Sequence, residues 1–301
     1  MVRDERGFSL IELLVAMLIM LIISGAATSA LLKMTSTQAT IWNRTQMHSG
    51  IRGATEVLQQ EVGQAGRIAL PAAVSLTDQV TVAGSATVGV TSTNGMFPNE
   101  YLTIDAGSNQ ETVQITSVGS SPAQITAVFG LPHSIGATVA LFGAFQAGVV
   151  PPSATNGSTA SVLKLFGDIN GDGNMVYVEY TCDTTAGNLY RNSMAWNTAT
   201  KAAATASQIL LSNVIANPGG TACFTYQTST MAGVDYVTNV AVTLTVQTQQ
   251  IDPVTKSYQT ETKALLNVAP RNIVNAAALA FMQQLPSRVQ PTPAAITNLL
   301  P

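Results

Sequence analysis

The chain opens with a long apolar run. After the short charged segment MVRDERG, residues 8–32 read FSLIELLVAMLIMLIISGAATSALL and carry one charged side chain, Glu12. At about 1.5 Å per helical residue, this run is longer than the roughly 30 Å hydrocarbon core of a bilayer. The pattern therefore predicts a membrane-spanning helix.

A secretory signal peptide is the alternative interpretation of this run. Its small residues 24–27, Ser-Gly-Ala-Ala, offer a cleavage site. However, an acidic residue in an apolar span costs about 2.5–3.5 kcal/mol on insertion scales, and a signal peptide has no use for one. Glu12 therefore favours a segment with a further purpose.

The helix is predicted to continue to about residue 70. Apolar residues recur every three or four positions on one helical stripe: Met47, Ile51, Ala54, Leu58, Val62, Ala65 and Ala69. Arg52 and Glu56 have the spacing of an i,i+4 ion pair on the opposite face. Pro71 is the predicted end, because a residue before proline avoids the helical conformation. Residues 8–32 and 33–70 are thus the membrane and amphipathic halves of one helix.

From about residue 72 the composition shifts to Thr, Val, Ser and Gly in short alternating runs, which favours strands. The predicted strands are Thr81–Val82, Tyr101–Asp105, Glu111–Val118, Gln124–Val128 and Val139–Leu141. We interpret residues 72–150 as a small all-β module inserted after the helix. Residues 151–160, PPSATNGSTA, have the composition of a linker.

A second β region, residues 161–270, alternates more clearly. Two runs on either side of Asp252-Pro253 each have one predicted buried face: Val240, Val242, Leu244 and Val246, then Thr260, Thr262, Ala264, Leu266 and Val268. A further strand places Val176, Val178, Tyr180 and Cys182 on one side and turns at residues 186–188. These faces predict an antiparallel sheet covered by the helical stripe.

The last segment, residues 271–301, contains a short predicted helix and an extended tail. Ile273–Gln284 forms the helix, with one apolar face composed of Val274, Ala277, Ala278 and Phe281. Prolines at 291, 293 and 301 favour an extended tail. Two interpretations are open: the helix docks on its own domain or on another subunit, or the whole segment is disordered.

Composition narrows the class of function. Of the 301 residues, 10% are charged and 46% are hydrophobic, and the formal net charge is −3. Soluble domains average about 25% charged residues, so a cytosolic enzyme is disfavoured. No segment is rich in Lys or Arg, and we expect no nucleic-acid partner.

The start of the apolar run carries a specific motif. Residues 7–13 read G-F-S-L-I-E-L. This segment resembles the cleavage and methylation segment of type IV prepilins and of type II secretion pseudopilins. The resemblance implies that a prepilin peptidase cuts between Gly7 and Phe8 on the cytoplasmic side. It also implies that Phe8 is then N-methylated and that Glu12 is the acid needed for filament assembly.

The role implied for Glu12 has a physical basis. A carboxylate alone in an apolar helix is unfavourable. In a bundle of parallel helices it can pair with the α-amine of Phe8 on a neighbouring subunit, which sets the register between them. The flanking positive charges do not settle the orientation of the span, so a cytoplasmic N-terminus rests on the resemblance.

The resemblance extends, in part, beyond the N-terminal segment. A long helix packed on an antiparallel sheet resembles the pilin head. The ending LLNVAPRNIV, residues 265–274, is similar to the last strand of PilW-like minor pilins.

Cys182 and Cys223 are too few for a zinc site and are wrongly spaced for one, but they suit one disulfide. Pilin heads often carry a disulfide near their C-terminal end, as the resemblance implies here. The pair would close a loop of 41 residues and stabilise the fold by about 4 kcal/mol in the chain-entropy model. Two reduced, buried thiols are the alternative.

Residues 168–179, DINGDGNMVYVE, match a calcium-loop pattern. The candidate oxygen ligands for Ca²⁺ are Asp168, Asn170, Asp172 and Asn174. Glu179 is not an expected ligand, because a strand would carry it about 16 Å beyond Asn174. A plain turn built from Asn-Gly and Asp-Gly is the alternative.

Catalytic motifs are absent from the sequence: it contains no G-x-S-x-G, H-E-x-x-H or phosphate loop. We expect His48 and His133 at the surface, with their hydrogen bonds satisfied. The sequence therefore predicts a non-enzymatic α+β protein with a leader (1–7), a long helix (8–70), a β module (72–150), a linker (151–160), a β head (161–270) and a C-terminal segment (271–301).

The resemblance implies a minor pilin that is present at low copy in an initiating or tip complex and is needed for pilus assembly, with adhesion as a further expectation. A mature chain of 294 residues, with an inserted module and a tail, would be awkward in every subunit of a tightly packed fibre. The expected partners are other pilins, the prepilin peptidase and the inner membrane, with the head in the periplasm before export to a surface pilus. The alternatives are a type II secretion pseudopilin and a membrane-anchored enzyme or sensor with a β ectodomain.

Overall fold

A computed structural model of the chain describes residues 9–198, 208–231, 234–282 and 285–297. The helices are α1 (Leu10–Gln64), α2 (Arg271–Met282) and α3 (Ala294–Thr297). The strands are β1 (Val74–Ser75), β2 (Gly84–Gly89), β3 (Tyr101–Ile104), β4 (Glu111–Ser120), β5 (Ala123–Phe129), β6 (Thr138–Leu141), β7 (Ala144–Phe145), β8 (Val162–Gly167), β9 (Val176–Asp183), β10 (Asn188–Ala195), β11 (Ile209–Ser212), β12 (Val214–Ile215), β13 (Phe224–Met231), β14 (Val234–Gln247), β15 (Thr260–Val268) and β16 (Val289–Gln290). The predicted α+β class, a long N-terminal helix followed by antiparallel sheets, is confirmed.

Helix α1 is continuous over 55 residues and changes character along its length. Every side chain from Leu10 to Thr35 is exposed, and this part is long and apolar enough to cross a membrane. Further along, the predicted stripe is buried at Met47, Ile51, Ala54, Leu58, Val62 and Ala65. Arg52 and Glu56 form the expected exposed ion pair at 2.7 Å.

The predicted end of α1 near residue 70 is wrong, because the helix stops at Gln64. Gly66 has a φ of 80°, the left-handed conformation that ends helices and favours glycine. Its N–H donates to the Phe166 carbonyl at 2.8 Å, and a side chain here would collide with Ile273. Asn272 Nδ2 donates to the Gln64 carbonyl at 3.1 Å. Tertiary contacts therefore end the helix before the proline is reached.

The first β region forms a six-stranded antiparallel sheet in the order β1-β6-β3-β4-β5-β2. The sheet curls until its edges meet: Leu76 bridges Val90, and the Thr77 N–H donates to the Gly89 carbonyl at 2.8 Å. The closed interior is filled by alternating apolar side chains, among them Leu102, Ile104, Ile115, Ile125 and Phe129.

Four of the five strands predicted in this region are present, and the one at Thr81–Val82 is not. Val80 makes an isolated bridge to His133, and Val82 is exposed. The strand forms instead at Gly84–Gly89, whose small residues have weak strand propensity. Its pairing with β5 supplies what propensity lacks.

The second β region contains two sheets, β11-β10-β9-β8 and β12-β14-β13, with β15 also paired to β14. The predicted faces are buried at Val178, Tyr180 and Cys182 in β9 and at Val240, Val242, Leu244 and Val246 in β14. The buried face predicted for β15 is only partly present, because Thr260, Thr262 and Ala264 are exposed. Among the described strands β15 pairs only with β14, so this edge strand presents side chains to solvent that a central strand would bury.

The C-terminal segment is ordered over its described residues. Its helix α2 docks through Ile273, Ala276, Ala277 and Ala280, a face rotated from the predicted one, and leaves Val274 and Phe281 partly exposed. Strand β16 pairs in parallel with β7, and Ile296 of α3 enters an aromatic cluster with Phe97, Phe145, Phe166 and Tyr177. The interpretation as a disordered tail is therefore wrong for residues 285–297.

The chain divides into two compact units. One comprises the chain up to Ser49 together with Gln247–Glu261. The other comprises Gly50–Val246 and Thr262–Pro301 and contains the sheets described above, apart from the ends of β14 and β15.

Candidate functional site

The described chain begins at the N-terminal cap of α1, inside the predicted processing and assembly segment. Gly7 and Phe8 lie outside the described residues. The Ser9 N–H donates to Glu12 Oε2 at 3.0 Å, and the Ile11 N–H donates to Ser9 Oγ at 3.2 Å. This reciprocal arrangement is a capping box, in which two side chains satisfy N–H groups that the helix leaves free.

The cap gives Glu12 a role within its own chain. A carboxylate has about four acceptor positions, so accepting the Ser9 N–H leaves capacity for a second donor. The negative charge also lies at the positive end of the helix dipole. Pairing with the Phe8 amine of a neighbour stays a prediction.

A charged cluster joins the second half of α1 to the head. Arg191 of β10 donates to Glu61 Oε1 from Nε at 3.0 Å and from Nη2 at 2.6 Å, and its Nε also lies 3.2 Å from Oε2. The Tyr180 hydroxyl of β9 donates to Glu61 Oε2 at 2.5 Å. Burial, and then the Glu61 carboxylate, raise the pKa of Tyr180, so this phenol remains a donor at neutral pH.

The sequence analysis missed this cluster, although a signal was present. Glu61 lies three residues after Leu58 and next to Val62, both of which belong to the buried stripe, in a chain with few charged residues. A charge at such a position needs a partner. Nothing in the sequence identifies the partner as Arg191, which is 130 residues away.

The candidate calcium loop is arranged around Asp168, which is fully buried. Its Oδ1 accepts the N–H groups of Asp172 at 3.0 Å and Gly173 at 3.3 Å, and its Oδ2 lies 3.3 Å from Arg67 Nε. Asn170, Asp172 and Asn174 are exposed. The oxygen donors suit a hard cation, but the Arg67 guanidinium already supplies positive charge to the one buried carboxylate.

Two further observations concern metal binding. Glu179 lies in β9, the predicted strand, where it accepts from the Tyr177 hydroxyl at 2.9 Å. Within the described ranges, no group of three or more His, Cys, Asp or Glu side chains could hold a metal ion.

The predicted disulfide is present. Cys182 of β9 is bonded to Cys223, which immediately precedes β13, so the bond connects the two sheets of the second β region. Disulfides persist in oxidising compartments.

The two histidines differ from each other. His48 is exposed on α1, as expected. His133 is satisfied but not at the surface: its side chain is buried, with Nε2 at 2.6 Å from Glu111 and Nδ1 at 3.4 Å from Asp105. Glu111 also accepts the N–H groups of Gly130 and Leu131. The cluster holds the turn after β5 closed, a structural role.

A comparison with known protein families supports the predicted methylation segment at the N-terminus. The prokaryotic N-terminal methylation motif matches residues 2–28. No curated protein and no solved structure matches the chain.

Proposed function

We propose that this type IV pilin-like protein is a minor pilin, used at low copy in the initiating or tip complex of a pilus and needed for pilus assembly. The observation that carries the proposal is the methylation motif at the start of a helix whose first 26 described side chains, Leu10 to Thr35, are all exposed. Such a surface needs lipid or neighbouring helices around it. The motif is that of a structural subunit and suggests no enzymatic activity.

Processing is the first step of the proposed function. A membrane prepilin peptidase cuts between Gly7 and Phe8, and Phe8 becomes N-methylated. Mass spectrometry of the N-terminus after extraction from membranes tests this step. We expect N-methyl-phenylalanine at position 8; an N-terminus at Met1 or near Ala27 would refute the proposal.

The minor role is supported by the size of the head. Residues 72–150, proposed as an inserted module, add a closed six-stranded sheet to the two sheets of the second β region. A subunit of this bulk is poorly suited to every position of a close-packed fibre. Counting copies per pilus by quantitative mass spectrometry of sheared fibres tests the point, and a copy number equal to that of the main pilin would contradict it.

The proposed location is the inner membrane for the precursor, with the head in the periplasm, and the surface pilus after assembly. The Cys182–Cys223 disulfide supports an oxidising compartment. Deleting the gene distinguishes the two family roles: loss of piliation fits the proposal, whereas loss of protein secretion with intact pili fits a type II pseudopilin. Normal piliation with impaired surface attachment would instead indicate that adhesion is the main role.

We also propose a calcium loop at residues 168–174, supported by Asp168, Asn170, Asp172 and Asn174. Arg67 must then share the Asp168 carboxylate with the cation or move away from it. Melting temperatures in calcium and in chelator test this proposal, with Asp172→Asn as the comparison. An identical melting temperature in both buffers would leave the loop a plain turn.

A further inference from the structure

A row of polar contacts connects the loop between β14 and β15 to helix α1. Three helix residues spaced four apart contact the loop or the start of β15. Thr40 Oγ1 donates to Asp252 Oδ1 at 3.2 Å, and Arg44 Nη2 donates to Gln259 Oε1 at 2.9 Å. His48 Nδ1 lies 3.7 Å from Oε1 of Glu261, the second residue of β15. Residues four apart lie on one face of a helix. The loop therefore runs along α1 towards its N-terminal half.

The 248–259 loop is a closed hairpin with a defined tip. The Thr248 N–H donates to the Gln259 carbonyl at 2.9 Å, and the Asp252 N–H donates to the Ser257 carbonyl at 3.0 Å. Asp252 Oδ1 also accepts the N–H groups of Val254 at 2.7 Å and Thr255 at 2.9 Å. The tip is therefore residues 253–256. Because Gln259 contacts Arg44 and Asp252 contacts Thr40, the hairpin advances towards the apolar half of α1 as it approaches this tip.

The rise per residue of α1 gives the distance between this tip and the end of the apolar span. Thr40 is eight residues beyond Leu32, the last apolar residue of the span, or about 12 Å along the axis. The tip extends further towards the span, and Ser36, one turn nearer, is the first half-buried side chain of α1. Ser36 is about 6 Å beyond Leu32, and a headgroup layer is roughly 5–7 Å thick on each side of the hydrocarbon.

The loop exposes apolar side chains at this level. Ile251 is 52% exposed, Val254 60% and Tyr258 47%. Lys256 is exposed beside them, and Lys33 lies at the end of the apolar span. Apolar and aromatic side chains next to lysines are the composition that membrane interfaces favour.

We propose that the tip of the 248–259 loop lies in the headgroup layer of the membrane that α1 spans. Val254 and Ile251 contact lipid there, and Lys256 contacts anionic phospholipid headgroups. The loop is then a membrane contact in addition to the span. A lipid surface is favoured over a second copy because the contacts of the loop with α1 advance towards the span and Lys256 is exposed beside the apolar side chains. The inference rests on the membrane insertion contained in the proposed function.

Depth-dependent fluorescence quenching tests the contact. The full chain, with Trp42→Phe and Trp196→Phe, receives a single new tryptophan by Val254→Trp and is placed, one chain per disc, in nanodiscs of phosphatidylethanolamine and phosphatidylglycerol. We expect lipids brominated close to the headgroup to reduce the fluorescence emission of this tryptophan. Its emission maximum should also lie at a shorter wavelength than that of a tryptophan exposed to aqueous buffer. Ile251→Trp gives a second, independent reporter should the first variant fold poorly.

Two control positions separate the possible failures. Ile19→Trp, in the middle of the span, must be quenched by lipids brominated deep in the chain; if it is not, membrane insertion and the proposed function fail together. Ser49→Trp lies about 20 Å beyond Ser36 along the helix and should not be quenched. Quenching at Ile19→Trp without quenching at either loop position would overturn the inference alone. If the emission of the loop tryptophans shifts to shorter wavelength only when two chains share a disc, the surface binds a second copy of the chain. That result would also overturn the inference.

Discussion

Replacing Glu100 by glutamine tests whether this protein keeps a carboxyl group buried in its neutral form. Glu100 is fully buried immediately before β3. Its Oε2 accepts one long hydrogen bond, from the Phe97 N–H at 3.4 Å, and its Oε1 accepts none within the described part of the chain. Burial raises the pKa of Glu100 from an ordinary 4.5 to about 8, and the Phe97 N–H offsets only part of that effect.

The sign of the resulting pH dependence follows from proton binding. Between the two pKa values the folded chain holds a proton that the unfolded chain releases, so stability decreases as the pH rises from about 4.5 to about 8 and is constant above that. The slope is about 1.4 kcal/mol per pH unit, which amounts to about 3 kcal/mol at pH 7. Glutamine is neutral throughout, so Glu100→Gln should match the wild type at about pH 4.5 and exceed its stability by about 3 kcal/mol at pH 7.

Urea unfolding of the full chain in detergent micelles, repeated at several pH values, measures this difference. Subtracting the two proteins cancels the titration of groups they share. Glu56→Gln removes an exposed carboxylate on α1 and is the matched control for the loss of one negative charge. A difference between Glu100→Gln and wild type that stays constant with pH would show that Glu100 is ionised in the folded protein and refute the reasoning.

Three other changes should have distinct effects. Gln290→Leu removes a fully buried amide that accepts one hydrogen bond from the β3 backbone and donates two to backbone carbonyls. Thermal melting should show that the free energy of unfolding falls by about 1–3 kcal/mol. An unchanged melting temperature would mean that the C-terminal segment does not support the β module. Arg191→Ala should cost about 2 kcal/mol, because it leaves Glu61 partly buried without its cation. Arg52→Ala breaks an exposed pair and should cost much less in the same assay; equal losses would contradict the burial argument. Glu12→Ala should insert into membranes normally but be absent from sheared pili, and its recovery there in normal amounts would count against the proposed ion pair.

The sequence by itself determined those features that rest on local periodicity. A run of apolar residues longer than a bilayer, a stripe every three or four residues and alternation along β9 and β14 each need only neighbouring residues to be recognised. The motif around Glu12 is equally local, because its residues are adjacent in the chain. The pairing of Cys182 with Cys223 could be predicted because the chain has only two cysteines.

The tertiary structure decided everything that depends on a distant partner. Gly66 ends α1 because Phe166 and Ile273 lie against it, and β2 forms from weak strand residues because β5 is beside it. β15 looks like a strand with one buried face, yet it is an edge whose alternate side chains meet solvent. The raised pKa of Glu100 has the same origin, since it depends on the atoms that replace water around the carboxyl group, and those come from residues that no local pattern brings together.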